Sequence, residues 1–321
     1  MISQAGQDTR QVSRVRGRRH QQRKTGRRVR IGASDPTLTP HAGLIAITEL
    51  ADHLGVSTAL DVGIGPIKQR DRGLTGGQLV LSLASAHLTG GDHLVSLDRL
   101  RADHAGQELV SIPTPASTTA AGVARRLSRE QITGIEAGIA VLHQRVLAQV
   151  GQVRRTSLLR EVTLDIDATD VEVYGPAKSG SAYTYQGQRA YRPDIAFWAE
   201  LGVPVAADLL SGNDDPRASA VGLLRRGLAS LPTGVGAVRV RMDAGYFAGE
   251  IARECLFRKV EFAIGAKRNA AVWRVALAIP EHAWVPAIGM EHAELARSRL
   301  VAGRHRVCGA PGTHPRRAGV G

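Results

Sequence analysis

Two short runs carry the residues whose types and spacing can do chemistry. In Val162-Thr163-Leu164-Asp165-Ile166-Asp167-Ala168-Thr169-Asp170, aliphatic and polar side chains alternate. At the strand period of two, Asp165 and Asp167 share one face while Val162, Leu164 and Ile166 share the other. Asp is a poor strand former, so its place inside a strand asks for a reason beyond folding. In Val238-Arg239-Val240-Arg241-Met242-Asp243-Ala244-Gly245-Tyr246 the same alternation ends at Asp243, and Gly245 closes the strand before a helix. If the two strands are neighbours, Asp167 and Asp243 face each other. Two carboxylates brought that close repel unless a proton or cation lies between them. Mg2+ suits hard oxygen ligands and keeps waters for a phosphate substrate, with Mn2+ as a substitute. Two such ions about 4 Å apart can activate an attacking oxygen and stabilise a leaving one in phosphoryl transfer. Plainer readings exist: Asp243 can cap the next helix, and Asp165 and Asp167 can be solvated edge-strand acids.

The elements that must position these acids follow from periodicity. Helices are expected from about 44 to 54 with a stop at Gly55, over 77–87 and 94–103, after a Ser117-Thr118-Thr119 cap, and over 130–150. Strand character begins at Arg160. A glycine-containing hairpin excursion spans Val171 to Arg189. Strands are expected at 195–200 and 203–210, a helix after Asp214-Asp215-Pro216, the Asp243 strand, a helix over 247–260 and a strand at 261–265. Strands in succession followed by helix-strand alternation specify an α/β layer fold with a mixed sheet, preceded by a mainly helical region. The expected divisions are a disordered basic arm (1–39), a helical DNA-binding domain (40–155), a catalytic domain (156–290) and an irregular basic tail (291–321).

The net charge of +13 over 321 residues is concentrated at the two ends. Positions 1–30 hold ten Arg and Lys against Asp8 alone, and 291–321 hold six Arg against Glu291 and Glu294. Such an arm can lie on phosphates through counterion release, or be a solvated tail. Arg125 and Arg126, in the helical region, suit a helix-turn-helix contact with DNA or an ordinary exposed surface. No apolar run is long enough to span a membrane and no signal peptide is legible, so a cytoplasmic protein without a membrane partner is expected. Cys255 and Cys308 offer neither a disulfide framework nor metal-ligand spacing. Gly63-Ile64-Gly65 and Gly234-Val235-Gly236 lack the third glycine of a nucleotide loop.

The ordered set Leu164-Asp165-Ile166-Asp167-Ala168-Thr169, Val173-Tyr174-Gly175, Tyr185-Gln186-Gly187-Gln188-Arg189-Ala190-Tyr191-Arg192-Pro193, Ser211-Gly212-Asn213 and Val240-Arg241-Met242-Asp243-Ala244-Gly245-Tyr246 resembles the DDE transposases of bacterial insertion sequences, in particular the group numbered 1380. Leu94 to Asp103 and Ile112 to Thr118 are similar to that group too. The resemblance runs from about Pro40 to about Asn269. It implies a ribonuclease-H-like catalytic domain with the first Asp on the first strand and the second at the end of the fourth. Asp167 then becomes the first metal ligand, chosen over the near alternative Asp165 because Ala168-Thr169 follow it, and Asp243 the second. Lys178, Arg189 and Arg192 become phosphate contacts. The implied partners are element-end and target DNA and, in the active state, a second copy; no small-molecule cofactor beyond the metal is implied.

The family's third acid, a Glu on a helix well downstream, has no clear counterpart. A helix is expected at 290–300, where Glu291 and Glu294 are the only acids, and 309–321 reads as coil. The resemblance therefore implies a truncated transposase. Its alternatives are a DNA-binding remnant or inhibitor without catalysis, and a ribonuclease-H-like nuclease.

Overall fold

The computed structural model describes residues 35–67, 73–175, 177–267, 270–286, 294–298 and 305–309. Among the described residues, eight helices precede the first long strand: α1 (Ala42–His53), α2 (Val56–Ile64), α3 (Gly76–Leu88), α4 (Val95–Arg101), α5 (His104–Gln107), α6 (Ser117–Ala124), α7 (Arg129–Gln149) and α8 (Gln152–Arg160). Thr75 with Gln78, and Ser128 with Gln131, form capping boxes that start α3 and α7. The cap expected of Ser117-Thr118-Thr119 is not made. Ala116 is the cap position, and the Ser117 N–H and hydroxyl reach Asp98 on α4 at 2.9 and 2.5 Å.

Periodicity does not reveal α2, which is only nine residues long, and glycine explains its place in the fold. A methyl added to Gly63 would lie 2.2 Å from the Gly134 carbonyl oxygen, and one added to Gly134 would lie 2.1 Å from that of Gly63. The two glycines let α2 and α7 cross backbone to backbone, so the Gly63-Ile64-Gly65 fragment is a packing contact. Arg145 of α7 also donates to the carbonyls of Leu54 and Gly55, at 2.5 and 2.9 Å, between α1 and α2.

The sheet comes next in the chain: β1 (Glu161–Ala168), β2 (Val171–Glu172), β3 (Ala182–Tyr183), β4 (Arg189–Trp198), β5 (Val203–Ser211), α9 (Arg217–Ala229), β6 (Ala237–Met242), α10 (Gly249–Phe257) and β7 (Glu261–Ile264). The seven strands form one mixed sheet, in which the five longer ones lie side by side as β5-β4-β1-β6-β7. β1 is antiparallel to β4 and parallel to β6, and β6 is parallel to β7. This is the ribonuclease-H-like order. β2 and β3 pair with the start of β4 and form the expected hairpin excursion. β4 itself begins at Arg189 rather than near Ile195, and Ala199 and Glu200 lie in the turn beyond it.

One face of the sheet packs on α9 and α10. Val162, Leu164, Ile166, Ala196, Trp198, Leu223 and Leu224 are buried there, and Gly227 of α9 brings that helix close to Ala196 and Leu164. The other face carries Asp165, Asp167, Ile195, Phe197, Arg239 and Arg241, none of them buried. The helical part is tied to the sheet at Glu136 of α7. Its carboxylate accepts the Ala207 N–H of β5 at 3.0 Å and pairs with Arg226 of α9 at 3.0 Å.

Beyond β7 lie α11 (Ala270–Leu277) and a three-stranded antiparallel sheet of β8 (Val285–Pro286), β9 (Glu294–Ser298) and β10 (His305–Gly309). The helix expected at 290–300 is corrected here, because residues Glu294–Ser298 pair on both edges, with β8 and with β10. Nonlocal pairing overrides the local pattern. The expected coil beyond Gly309 and most of the basic arm, 1–34, lie outside the described residues. No helix among the described residues is long and apolar enough to cross a membrane.

Candidate functional site

The register of β1 on β6 pairs Leu164 with Val240, Asp165 with Arg241 and Ile166 with Met242. One step further along both strands stand Asp167 and Asp243, at adjoining strand ends about 5 Å apart in backbone terms. Because Ile166 and Met242 face the core, the two acids face the uncovered side, and both are exposed. Asp243 does act as a cap. Its Oδ1 accepts the Gly245 N–H at 2.8 Å and starts the short 3-10 turn Ala244–Tyr246. That bond occupies one carboxylate oxygen. Asp167 Oδ1 accepts the Ala168 N–H at 2.9 Å. Among the described residues no basic side chain forms an ion pair with either acid.

Asp165 is different. Arg241, its register partner, holds it in a two-pronged ion pair with both bonds at 2.6 Å. Asp170, at the far end of the same run, is held by Arg192 at 2.7 and 3.1 Å, and Arg192 also donates to the Asp214 carbonyl at 2.6 Å. Strong mutual bonds leave the Arg192 guanidinium little capacity for an outside phosphate. Arg189 donates from Nε to Ser181 Oγ at 2.7 Å, while the Lys178 side chain is exposed in the hairpin loop. Arg125 and Arg126 are exposed in the turn between α6 and α7. The candidate phosphate contacts thus fall into two groups. Along β4, Arg192 is about 10 Å and Arg189 about 20 Å from Ile195, the register partner of Asp167. Arg125 and Arg126 belong to the helical part.

Two residues that the sequence reading does not single out sit beside the pair. Asp194 is fully buried, and the Tyr246 hydroxyl donates to its Oδ1 at 2.6 Å. Burial pushes the Asp194 carboxyl up to about 6; the Tyr246 bond opposes this, while the charges of Asp208 and Asp167 add to it. Burial first, then the Asp194 bond and the fields of Asp167 and Asp243, raise the Tyr246 phenol. The signal for Asp194 is its parity: it shares the buried face of β4 with Ala196 and Trp198, where an acid is out of place.

The donor chemistry of Asp167 and Asp243, two hard carboxylates without a cationic partner among the described residues, fits a divalent ion that retains waters. Among the described residues no cluster of three or more His, Cys, Asp or Glu side chains forms a fuller metal site.

A protein-family model described as a transposase DDE domain, group 1, matches residues 21–302. Among solved structures, the chain is similar to the piggyBac transposase in its synaptic complex with hairpin DNA, at 10% identity and a TM-score of 0.34. That match covers 82% of this chain, which spans about 58% of the piggyBac chain. The Mos1 strand transfer complex matches at 10% identity and a TM-score of 0.21, over 74% of this chain and 80% of that one. No curated protein matches.

Proposed function

The chain belongs to the DDE transposase family, and from that premise we propose that it is the transposase of a bacterial insertion sequence of the 1380 group, which binds element-end DNA and catalyses metal-dependent cleavage and strand transfer. The observation that supports this reading is the pair Asp167 and Asp243 at adjoining strand ends, both exposed and without a cationic partner among the described residues. Members of the family generally use divalent metal ions. Asp167 and Asp243 are the residues that would hold Mg2+, or Mn2+ in its place. When bound, such an ion acidifies an attacking water or hydroxyl and draws charge from the scissile phosphate.

The chain's own residues have separate tasks in this reading. The summed negative charge of Asp167 and Asp243 gathers cations at the strand ends. Arg241 neutralises Asp165 and keeps it from competing. Lys178 and Arg189 on the hairpin, and Arg125 and Arg126 in the helical domain (40–155), neutralise backbone phosphates, and the basic arm adds sequence-independent affinity. Synapsis of two element ends calls for a homodimer.

A second reading, DNA binding without catalysis, is favoured by one observation: no third carboxylate converges with the acidic pair among the described residues. The experiment is a cleavage and strand-transfer assay with the purified chain, element-end duplex and Mg2+. Metal-dependent products that vanish in Asp167→Ala and Asp243→Ala support the transposase. Salt-sensitive end binding with no cleavage, unaltered by Asp243→Ala, supports the second reading. Cleavage of duplexes lacking element ends points instead to a nuclease of the same fold.

A further inference from the structure

The chain contains five tyrosines, and four of them, Tyr174, Tyr183, Tyr185 and Tyr191, fall in the hairpin excursion between β1 and the middle of β4. Three are largely in water: Tyr174 is 77% exposed, Tyr183 67% and Tyr185 87%. Aromatic rings contribute most to a fold when buried, so three left in water on one hairpin gain the fold little and mark a surface that meets something.

The hairpin presents these rings on a fixed frame. Tyr191 donates to the Ser179 carbonyl at 2.6 Å, Arg189 donates to Ser181 Oγ, and Gln186 donates to the Tyr185 hydroxyl at 2.9 Å. Tyr174 is tied by its hydroxyl to Glu172 at 3.0 Å, which places a carboxylate beside it and makes it the least suited of the three to a polyanion. Tyr183 pairs with Arg189, and from Arg189 the same face of β4 runs through Tyr191 and Pro193 to Ile195, the register partner of Asp167. Tyr183 therefore lies on the sheet face that carries the acidic pair, about 20 Å along the strand. Exposed Lys178 in the same loop supplies positive charge.

We propose that this hairpin is a stacking surface for unpaired DNA bases next to the strand on which Asp167 and Asp243 act, with the rings of Tyr183 and Tyr185 under the bases and Lys178 on the phosphate. The inference rests on the transposase reading and adds the class of substrate the site must accommodate: a strand locally out of its duplex. Stacking accepts any base and needs no acceptor or donor pattern, which suits tyrosines whose hydroxyls point to protein or water.

The test uses the full chain with two fluorescently labelled probes, a single-stranded oligothymidylate and an element-end duplex, and measures affinity across a salt series. Tyr183→Ala and Tyr185→Ala should each weaken single-strand binding about tenfold, change duplex binding less than about twofold, and leave the salt slope unaltered. Tyr183→Phe should restore the single-strand affinity. Lys178→Ala should instead reduce the slope by about 0.7, as expected for one lost phosphate contact. Both tyrosines are exposed, so the variants should keep the wild-type far-ultraviolet circular dichroism. Single-strand affinity unchanged in both tyrosine variants, equal losses on both probes, or a wild type that binds duplex alone overturns the stacking surface while the DNA reading stands. A wild type that binds neither probe overturns the DNA reading itself.

Discussion

Tyr246 donates a 2.6 Å hydrogen bond to Asp194, and that one buried bond joins the turn that Asp243 caps to the strand that flanks Asp167. Among the described residues Asp194 Oδ2 has no hydrogen-bond partner, so the carboxyl is costly to ionise. Burial pushes it up to about 6, from the ordinary 3.8. The folded state therefore holds a proton that the unfolded chain has already released, and stability falls as pH rises from about 4 through about 6. By linkage the loss is roughly 3 kcal/mol. Urea denaturation at pH 4 to 7.5 measures it: the wild type should lose this amount relative to Asp194→Asn, which keeps an acceptor for Tyr246 without the charge. Parallel pH profiles for the two proteins would remove Asp194 as the cause.

Asp165 and Asp167 share a strand face two residues apart, yet among the described residues only Asp165 is bound to an arginine. Replacement by Asn should separate them. Asp167→Asn, like Asp243→Asn, should weaken Mn2+ binding, followed by the electron-spin-resonance signal of the free ion, by about tenfold or more. Asp165→Asn should leave it within about twofold and cost less than about 1 kcal/mol of stability, as befits a partly exposed ion pair. Loss of Mn2+ in the Asp165 variant alone would reassign the site.

Much of this arrangement is legible in the alternation of two runs, because strand parity decides which side chains share a face and strand ends decide where acids escape the core. Parity alone cannot tell Asp165 from Asp167; what distinguishes them in the fold is the ion pair of Asp165 with Arg241, a neighbour 76 positions away. Asp194 is hidden for a local reason. Pro193 reads as a strand breaker, which puts the expected start of β4 after it, whereas in the sheet Pro193 sits within the ladder opposite Leu209. The short helices α2 and α8 escape the sequence because nine residues hold little more than two turns of pattern, and in α8 an almost fully exposed surface blurs the 3.6 period as well. The second sheet depends on pairing between segments that carry weak strand signals of their own.

The crossing of α2 and α7 makes a stability prediction independent of the site. Gly63→Ala and Gly134→Ala would each put a methyl within 2.2 Å of a backbone oxygen on the other helix. Neither backbone can swing away as a side chain could. Although alanine favours a helix intrinsically, each variant should lose about 3 kcal/mol or more in chemical denaturation. Gly43→Ala, with open space around the added methyl, is the control and should be neutral or slightly stabilising. A neutral Gly63→Ala would mean that the two helix backbones do not meet at this crossing.

Arg226 joins the helical part of the chain to the acidic end of the sheet. It pairs with Glu136 of α7 at 3.0 Å and with Asp208 of β5 at 2.8 Å, and Asp208 is the register partner of Asp194. Arg226→Ala leaves two carboxylates without their cation and should cost about 2 kcal/mol. Lysine should rescue little, because one ammonium cannot reproduce a guanidinium that bonds both acids through different nitrogens. Glu136→Gln should cost less, about 1 kcal/mol, since its amide oxygen can still accept the Ala207 N–H. The same substitution at Arg226 has a second consequence. The charge of Arg226 lowers the Asp194 carboxyl while that of Asp208 raises it, so removing the arginine alone lets burial and Asp208 act unopposed from that side. The pH at which stability falls should therefore lie above about 6 in Arg226→Ala, and return toward the wild-type value in Arg226→Ala with Asp208→Asn. Titration of stability in these variants checks the link; a midpoint that does not move in the single variant would separate the α7 tie from the acidic site.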